Sequence, residues 1–194
     1  MGRPQNTKGK TRPLEAFEVK RLIAACIASR HPLRNETLVK FMLYTGCRVS
    51  EATSLRVKDV FNGKEVLPSV QFRETKNKKS RIIPMSSRLA KTLKLYLDHT
   101  DSEPESPLFK SQKGSSLHPT YASQLIKNLL CDAGLEDAKG SHCLRKTAMV
   151  NLLDAGHSLA TIQEVGGWTQ ISTCNYYLSS NINKVSAAMN SLKF

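Results

Sequence analysis

Histidine, arginine, tryptophan and tyrosine occur together between Ser141 and Tyr177 of this 194-residue chain. His142 and Arg145 stand three residues apart in a segment whose apolar positions Leu144, Ala148 and Leu152 predict a helix, so both leave one face. Such a face can grip a phosphate. Trp168 follows, and Tyr177 lies nine residues beyond it, preceded by Tyr176. A tyrosine oxygen attacks only with cations or a base nearby, because its unperturbed pKa is about 10.

Two earlier stretches offer the cations. Cys47-Arg48-Val49-Ser50-Glu51 follows Gly46 and opens a short helix ending near Leu55, with Ser50 as its cap; Arg48 projects from that tight turn. A plain salt bridge from Arg48 to Glu51, three residues on, is the competing reading. Val66 to Arg73 and Arg81-Ile82-Ile83-Pro84 read as β-type runs around Glu74 to Ser80, a polar hairpin turn carrying Lys76, Lys78 and Lys79. Those lysines are either a solvated tip or ammonium groups delivered to a phosphate.

Together Arg48, Lys76, His142, Arg145, Trp168 and Tyr177 provide a metal-free way to handle a phosphodiester. Two guanidiniums hold non-bridging oxygens bidentately and neutralise charge that develops in the transition state. A tyrosine attacks in line, and a lysine on the hairpin protonates the departing 5′-oxygen. The sequence has no paired Asp or Glu cluster suited to Mg²⁺, no Gly-x-x-x-x-Gly-Lys loop and no Gly-x-Ser-x-Gly elbow. No cofactor is expected.

The elements that must position these groups read mainly as helices. Helical periodicity covers Leu14 to Arg30, where His31-Pro32 ends the run, then Arg34 to Gly46. After the hairpin come helices at Ser87 to His99, Thr120 to Cys131, 141 to 156, and Leu159 to Val165. An acidic linker runs from Asp101 to Pro107, and an amphipathic helix covers 183–192. Tyr121, Gln124, Lys127 and Asn128 share a polar stripe of the Thr120 helix, which suits a DNA groove or simple solvation. The expected class is α+β, mainly α-helical, with a small antiparallel sheet. Residues 1–12 read as a basic flexible arm or a solubilising tail, and 13–194 as a single domain.

A formal net charge of +13 points to a polyanionic partner, with nucleic acid ahead of membrane because no long apolar run appears. The five cysteines are scattered without metal-ligand spacing and are read as reduced, buried core thiols. Met1 is followed by a polar, basic stretch with no apolar leader, so a cytoplasmic, nucleoid-associated protein is expected.

Thr45-Gly46-Cys47-Arg48-Val49-Ser50-Glu51-Ala52-x-x-Leu55 with Asp59-Val60, Lys76 before Arg81-x-x-Pro84, His142-x-Leu144-Arg145, Gly167-Trp168 and Tyr177 together resemble the tyrosine recombinases, the phage-integrase family, over Leu14 to Leu178. Each motif alone is weak; five in this order and spacing are specific. The resemblance implies that Arg48 and Arg145 bind the scissile phosphate and that Lys76 protonates the leaving 5′-hydroxyl. It further implies that His142 assists proton transfer and that Tyr177 forms a 3′-phosphotyrosyl link, with Tyr176 as the rival nucleophile. Glu51 matches an acidic position that orients the first arginine. Lys78, Lys79, Arg81, Tyr121, Gln124 and Lys127 are the further residues expected at DNA.

Three positions depart from the family pattern. Lys146 stands where His is usual, and Trp168 where most members have His. An indole N–H donates a hydrogen bond but cannot shuttle a proton, which shifts acid–base work to His142 and Lys76. Only about a dozen residues precede the catalytic region, where family members usually carry a helical DNA-clamping domain. The chain therefore reads as a short recombinase or a catalytic fragment, acting on duplex DNA as a tetramer, monomeric when free, with its C-terminal helix exchanged between protomers. A type IB topoisomerase shares this chemistry, and a DNA-binding regulator without efficient cleavage is the alternative from another class.

Overall fold

The computed structural model describes residues 11–73, 80–100, 103–177 and 190. The helices are α1 (Ala16–Ala28), α2 (Pro32–Thr45), α3 (Val49–Ser54), α4 (Ser87–Asp98), α5 (Pro119–Asp132), α6 (His142–Asp154) and α7 (Leu159–Gly166). One antiparallel pair, β1 (Ser69–Arg73) and β2 (Ser80–Pro84), completes the mainly helical α+β fold, with 3-10 turns at Val57–Asp59, Glu136–Ala138 and Ile171–Tyr177.

Helix α2 is the hub, packed by α1, α3, α4 and α6. Its sequence carries little amphipathic contrast because nearly all its sides are covered: Leu38, Val39, Phe41 and Met42 are buried, and so are Arg34, Asn35, Thr37 and Thr45. Phe41 meets Phe72 of β1 edge-on at 6.2 Å and Phe109 at 6.0 Å, while Tyr96 of α4 stacks on Phe109 at 5.9 Å. Truncating such a ring to alanine costs about 3–5 kcal/mol. A smaller cluster joins Ala148 and Met149 of α6, Ile162 of α7, Cys174 and Tyr177. That second cluster anchors Tyr177 against α6 and α7.

Local chemistry moves several expected boundaries. Pro32 opens α2 instead of ending α1, since at the first helical position its missing N–H has no partner to lose. Ser50 does not cap α3: Arg48 occupies the cap in extended conformation, and Glu51 reaches back to accept the Arg48 amide at 2.6 Å. Val66 bridges to Phe61, not to the hairpin partner, so β1 begins at Ser69. The linker's residues 103–107 lie against the segment after α3, where Val57 and Lys58 donate their amides to Ser106 and Pro104, each at 3.0 Å. Thr11 and Arg12, expected in the free arm, are docked: Thr11 bonds to Ala138, and Arg12 grips Glu18 through two 2.7 Å bonds and reaches Asp137. Cys26, Cys47, Cys143 and Cys174 are buried, whereas Cys131 is exposed. The helix expected over 183–192 lies outside the described residues.

In β2, Arg81 and Ile83 are buried while Ile82 is 60% exposed. The period of two that sends Ile83 to the core sends Arg81 the same way. Register pairs Phe72 with Arg81 and Arg73 with Ser80, which fixes where the hairpin leaves the sheet.

Candidate active site

The C-terminal end of α2, the start of α3, the start of α6 and the end of α7 converge. Gly46 terminates α2 at φ +63°, a left-handed conformation natural to glycine, and its carbonyl accepts Arg145 Nη1 at 2.7 Å. Arg145 Nη2 donates to the carbonyl of Gly166, the last residue of α7, at 2.5 Å. The guanidinium is 2% exposed and lies over the Trp168 ring at 4.8 Å. Two helix C-termini, each with its partial negative charge, thus hold this cation in place of a carboxylate.

Trp168 in turn meets Tyr177, with ring centroids 5.1 Å apart and planes tilted by 30°. Tyr177 is 8% exposed and packed in the smaller core cluster, whereas Tyr176 is 76% exposed. A Cβ on Gly166 would stand 2.3 Å from the indole, so only a glycine lets Trp168 fold back over Arg145. The order of contact is Arg145, Trp168, Tyr177.

Arg48 is held differently. Its side chain is 41% exposed, and Nη1 donates to Glu51 Oε1 at 2.9 Å. Glu51 also takes both terminal nitrogens of Arg81, at 2.9 and 2.7 Å. Burial would raise the Glu51 carboxyl, but the Arg81 hydrogen bonds, the Arg48 amide and the two guanidinium charges outweigh it and hold the carboxyl below its ordinary range. Cys47, fully enclosed beside them, has its thiol pushed up to about 12 by burial and stays neutral.

His142 sits at the first position of α6 with one side open to solvent. Partial burial, then the charges of Arg145, Arg48 and Lys146, lower its pKa, so the imidazole is neutral at pH 7 and able to take a proton. Burial and the neighbouring Arg48 also lower the Arg145 pKa, while Tyr177 works the other way. Arginine keeps its charge throughout.

Arg48, Glu51, His142, Arg145, Trp168 and Tyr177 therefore form one constellation. Lys76, Lys78 and Lys79 lie outside the described residues. Tyr121, Gln124 and Lys127 are exposed along α5, with Gln124 bonded to Asn128 at 2.8 Å. Arg81, read from the sequence as facing DNA, is buried against Glu51 and lies 4.7 Å over the Phe72 ring. The signal that places it inward is its register with Ile83. Gly46 and Gly166, whose carbonyls hold Arg145, had no signal beyond their positions at helix ends. Among the described residues no helix is long and apolar enough to cross a membrane.

A family model described as the phage integrase family matches residues 12–184. A tyrosine recombinase of Pseudothermotoga lettingae is 31% identical over 75% of this chain and 49% of its own length. Tyrosine recombinase XerC of Rhizobium meliloti is 33% identical over 74% of this chain and 45% of its own. The chain spans about half the length of these curated relatives. Among solved structures, XerA recombinase superposes with a TM-score of 0.77 at 25% identity, covering 100% of this chain and 68% of that one. The catalytic domain of bacteriophage HP1 integrase gives 0.62 at 22% identity, covering 92% of this chain and 95% of that domain.

Proposed function

Because the chain belongs to the phage integrase family, we propose that it cleaves and rejoins duplex DNA at specific sites through a 3′-phosphotyrosyl intermediate, without a metal. The observation that carries this reading is the contact of a buried, carbonyl-bonded Arg145 with Trp168 and of Trp168 with Tyr177. A buried cation hydrogen-bonded to neutral carbonyls is stabilised further when an anion arrives, and a phosphodiester supplies one.

In this mechanism Arg48 and Arg145 hold the two non-bridging oxygens. The Tyr177 hydroxyl passes its proton to neutral His142 as its oxygen bonds to phosphorus, and the bond from phosphorus to the 5′-oxygen breaks. Lys76 gives a proton to that departing oxygen. Religation reverses each step with a 5′-hydroxyl from a second strand. Trp168 supplies a rigid wall and an indole N–H but no proton. The bond energy stays in the phosphotyrosyl link.

The same reading assigns a single catalytic domain from about residue 13 onward, DNA contacts by Lys78 and Lys79 and by Tyr121, Gln124 and Lys127 of α5, and a cytoplasmic, nucleoid-associated setting. The protein is monomeric when free and forms a tetramer on DNA, with the C-terminal helix exchanged between protomers. Backbone contacts make DNA binding fall with salt.

The test is a nicked duplex carrying a candidate site, from which the cleaved strand diffuses away, incubated in EDTA. Denaturing gels are read for a protein–DNA adduct. An adduct formed by wild type and Tyr176→Phe and lost in Tyr177→Phe is the expected result. Salt-sensitive binding with no adduct on any substrate would refute the cleavage reading in favour of a regulator.

A further inference from the structure

Arg81 is the residue the catalytic scheme leaves without a task, and its surroundings are unusually complete. Its two terminal nitrogens make parallel bonds to Glu51 Oε1 at 2.9 Å and Oε2 at 2.7 Å. The same carboxylate receives Arg48 Nη1 at 2.9 Å and the Arg48 amide at 2.6 Å. On its other side Arg81 presses on the turn after α7, since a Cβ on Gly167 would lie 3.0 Å from Nη1 and 3.1 Å from Cδ. Its ring contact with Phe72 ties it to β1, and its Nε is buried with no hydrogen-bond partner among the described residues. One side chain therefore touches the strand that leads into the segment carrying Lys76, the acid that holds Arg48, and the turn that delivers Trp168 and Tyr177.

We infer that Arg81 is a positioning residue of the strand-cleavage reaction: through Glu51 it fixes Arg48, and through Gly167 it fixes the entry to the Trp168–Tyr177 segment. This rests on the reading of the site as a phosphotyrosyl-forming centre.

Charge balance gives the physical reason. A half-exposed Arg48 alone is a weak partner for the buried Glu51, because burial favours the protonated carboxyl, which holds a guanidinium poorly. A second guanidinium matched bidentately to the carboxylate leaves the three side chains with a net charge of +1, and the planar fork fixes the carboxylate's orientation. Lysine would supply the charge without the fork.

Glu51 is faced by Arg48 at the head of its own helix, by Arg81 from β2 and by Arg145 from α6, beside the neutral thiol of Cys47. Arg56, Lys58 and Asp59 line the open pocket of about 320 Å³ on its outer side.

The test uses the full chain as Arg81→Met, Arg81→Lys and Glu51→Gln, with single-turnover cleavage of the nicked duplex followed from pH 6 to 9 beside DNA affinity and Tm. Arg81→Met is expected to cleave about 10²-fold more slowly at pH 7, the size of effect a misplacement of about 1 Å produces, with DNA affinity within about threefold of wild type. Its rate should recover as pH rises, because a buried Glu51 left with Arg48 alone titrates at higher pH; Arg81→Lys should fall between, and Glu51→Gln should show no such recovery. Wild-type rates in Arg81→Met, or losses of cleavage that track affinity and Tm equally at every pH, would overturn the assignment. Should wild type itself form no adduct, the cleavage reading fails, and carboxyl NMR of Glu51 then decides the contact separately. A titration raised in Arg81→Met upholds Arg81 as the residue that sets Glu51, and an unmoved one overturns it.

Discussion

Two arginines of the same site are held by opposite means. Arg145 is buried and bonded to the neutral carbonyls of Gly46 and Gly166 with an indole beneath it; Arg48 is half-exposed and held by an ionised carboxylate that a third arginine shares. The first arrangement is geometric: the carbonyls exist because two helices end there, and no side-chain substitution nearby can remove them. The second is electrostatic and depends on the protonation of Glu51. Rigidity at one guanidinium is thus set by backbone, at the other by charge balance.

The sharpest way to break this comparison is lysine substitution at each arginine. Arg145→Lys keeps one positive charge but loses the planar fork whose two nitrogens span both carbonyls, so cleavage is expected to fall about 10³-fold. Arg48→Lys retains a single contact to Glu51 from a solvent-accessible site, and a fall of about tenfold is expected. Single-turnover cleavage measures both; equal losses would mean that the two settings do not matter.

A milder perturbation addresses the indole alone. Gly166→Ala drives a methyl into the Trp168 ring and should move it off Arg145, costing about tenfold in cleavage. Trp168 is the single tryptophan of the chain, so its fluorescence reports the displacement directly. Unchanged emission with unchanged rate would show that the ring is not held by the missing Cβ.

The smallest expected effect concerns His142. Its pKa is lowered in the fold by partial burial and by Arg145, Arg48 and Lys146, so the folded state binds this proton less readily than the unfolded chain does. The associated stability is present above the unfolded pKa of about 6.5 and is lost as pH falls from there through the folded value. Urea midpoints at pH 7.5 and 5 should therefore decline more for wild type than for His142→Gln. A parallel decline in both would place the acid sensitivity elsewhere.

The order of motifs in the sequence picked out Arg48, His142, Arg145, Trp168 and Tyr177, and the structure brings these residues to one region. Helical periodicity identified every described helix to within a few residues. What sequence reading missed were contacts made at a distance. Arg81 looked like a surface cation because its neighbours in the chain are lysines, yet the acid that claims it lies thirty positions earlier. Ser50 has the right chemistry for a cap, but a first-turn glutamate already held by two arginines did that work first. Arg12 resembled the rest of a basic arm until Glu18 and Asp137 came together around it.

The docking of that short stretch has a mechanical consequence. The Thr11 carbonyl accepts Lys146 Nζ at 2.9 Å, and the Leu14 amide donates to Thr147 Oγ1 at 2.8 Å. Both anchors belong to α6 and sit directly after Arg145. A pull on the chain ahead of Thr11 is therefore loaded onto the helix that carries His142 and Arg145, with no slack segment between. Tension at that end acts as a lever on the phosphate site.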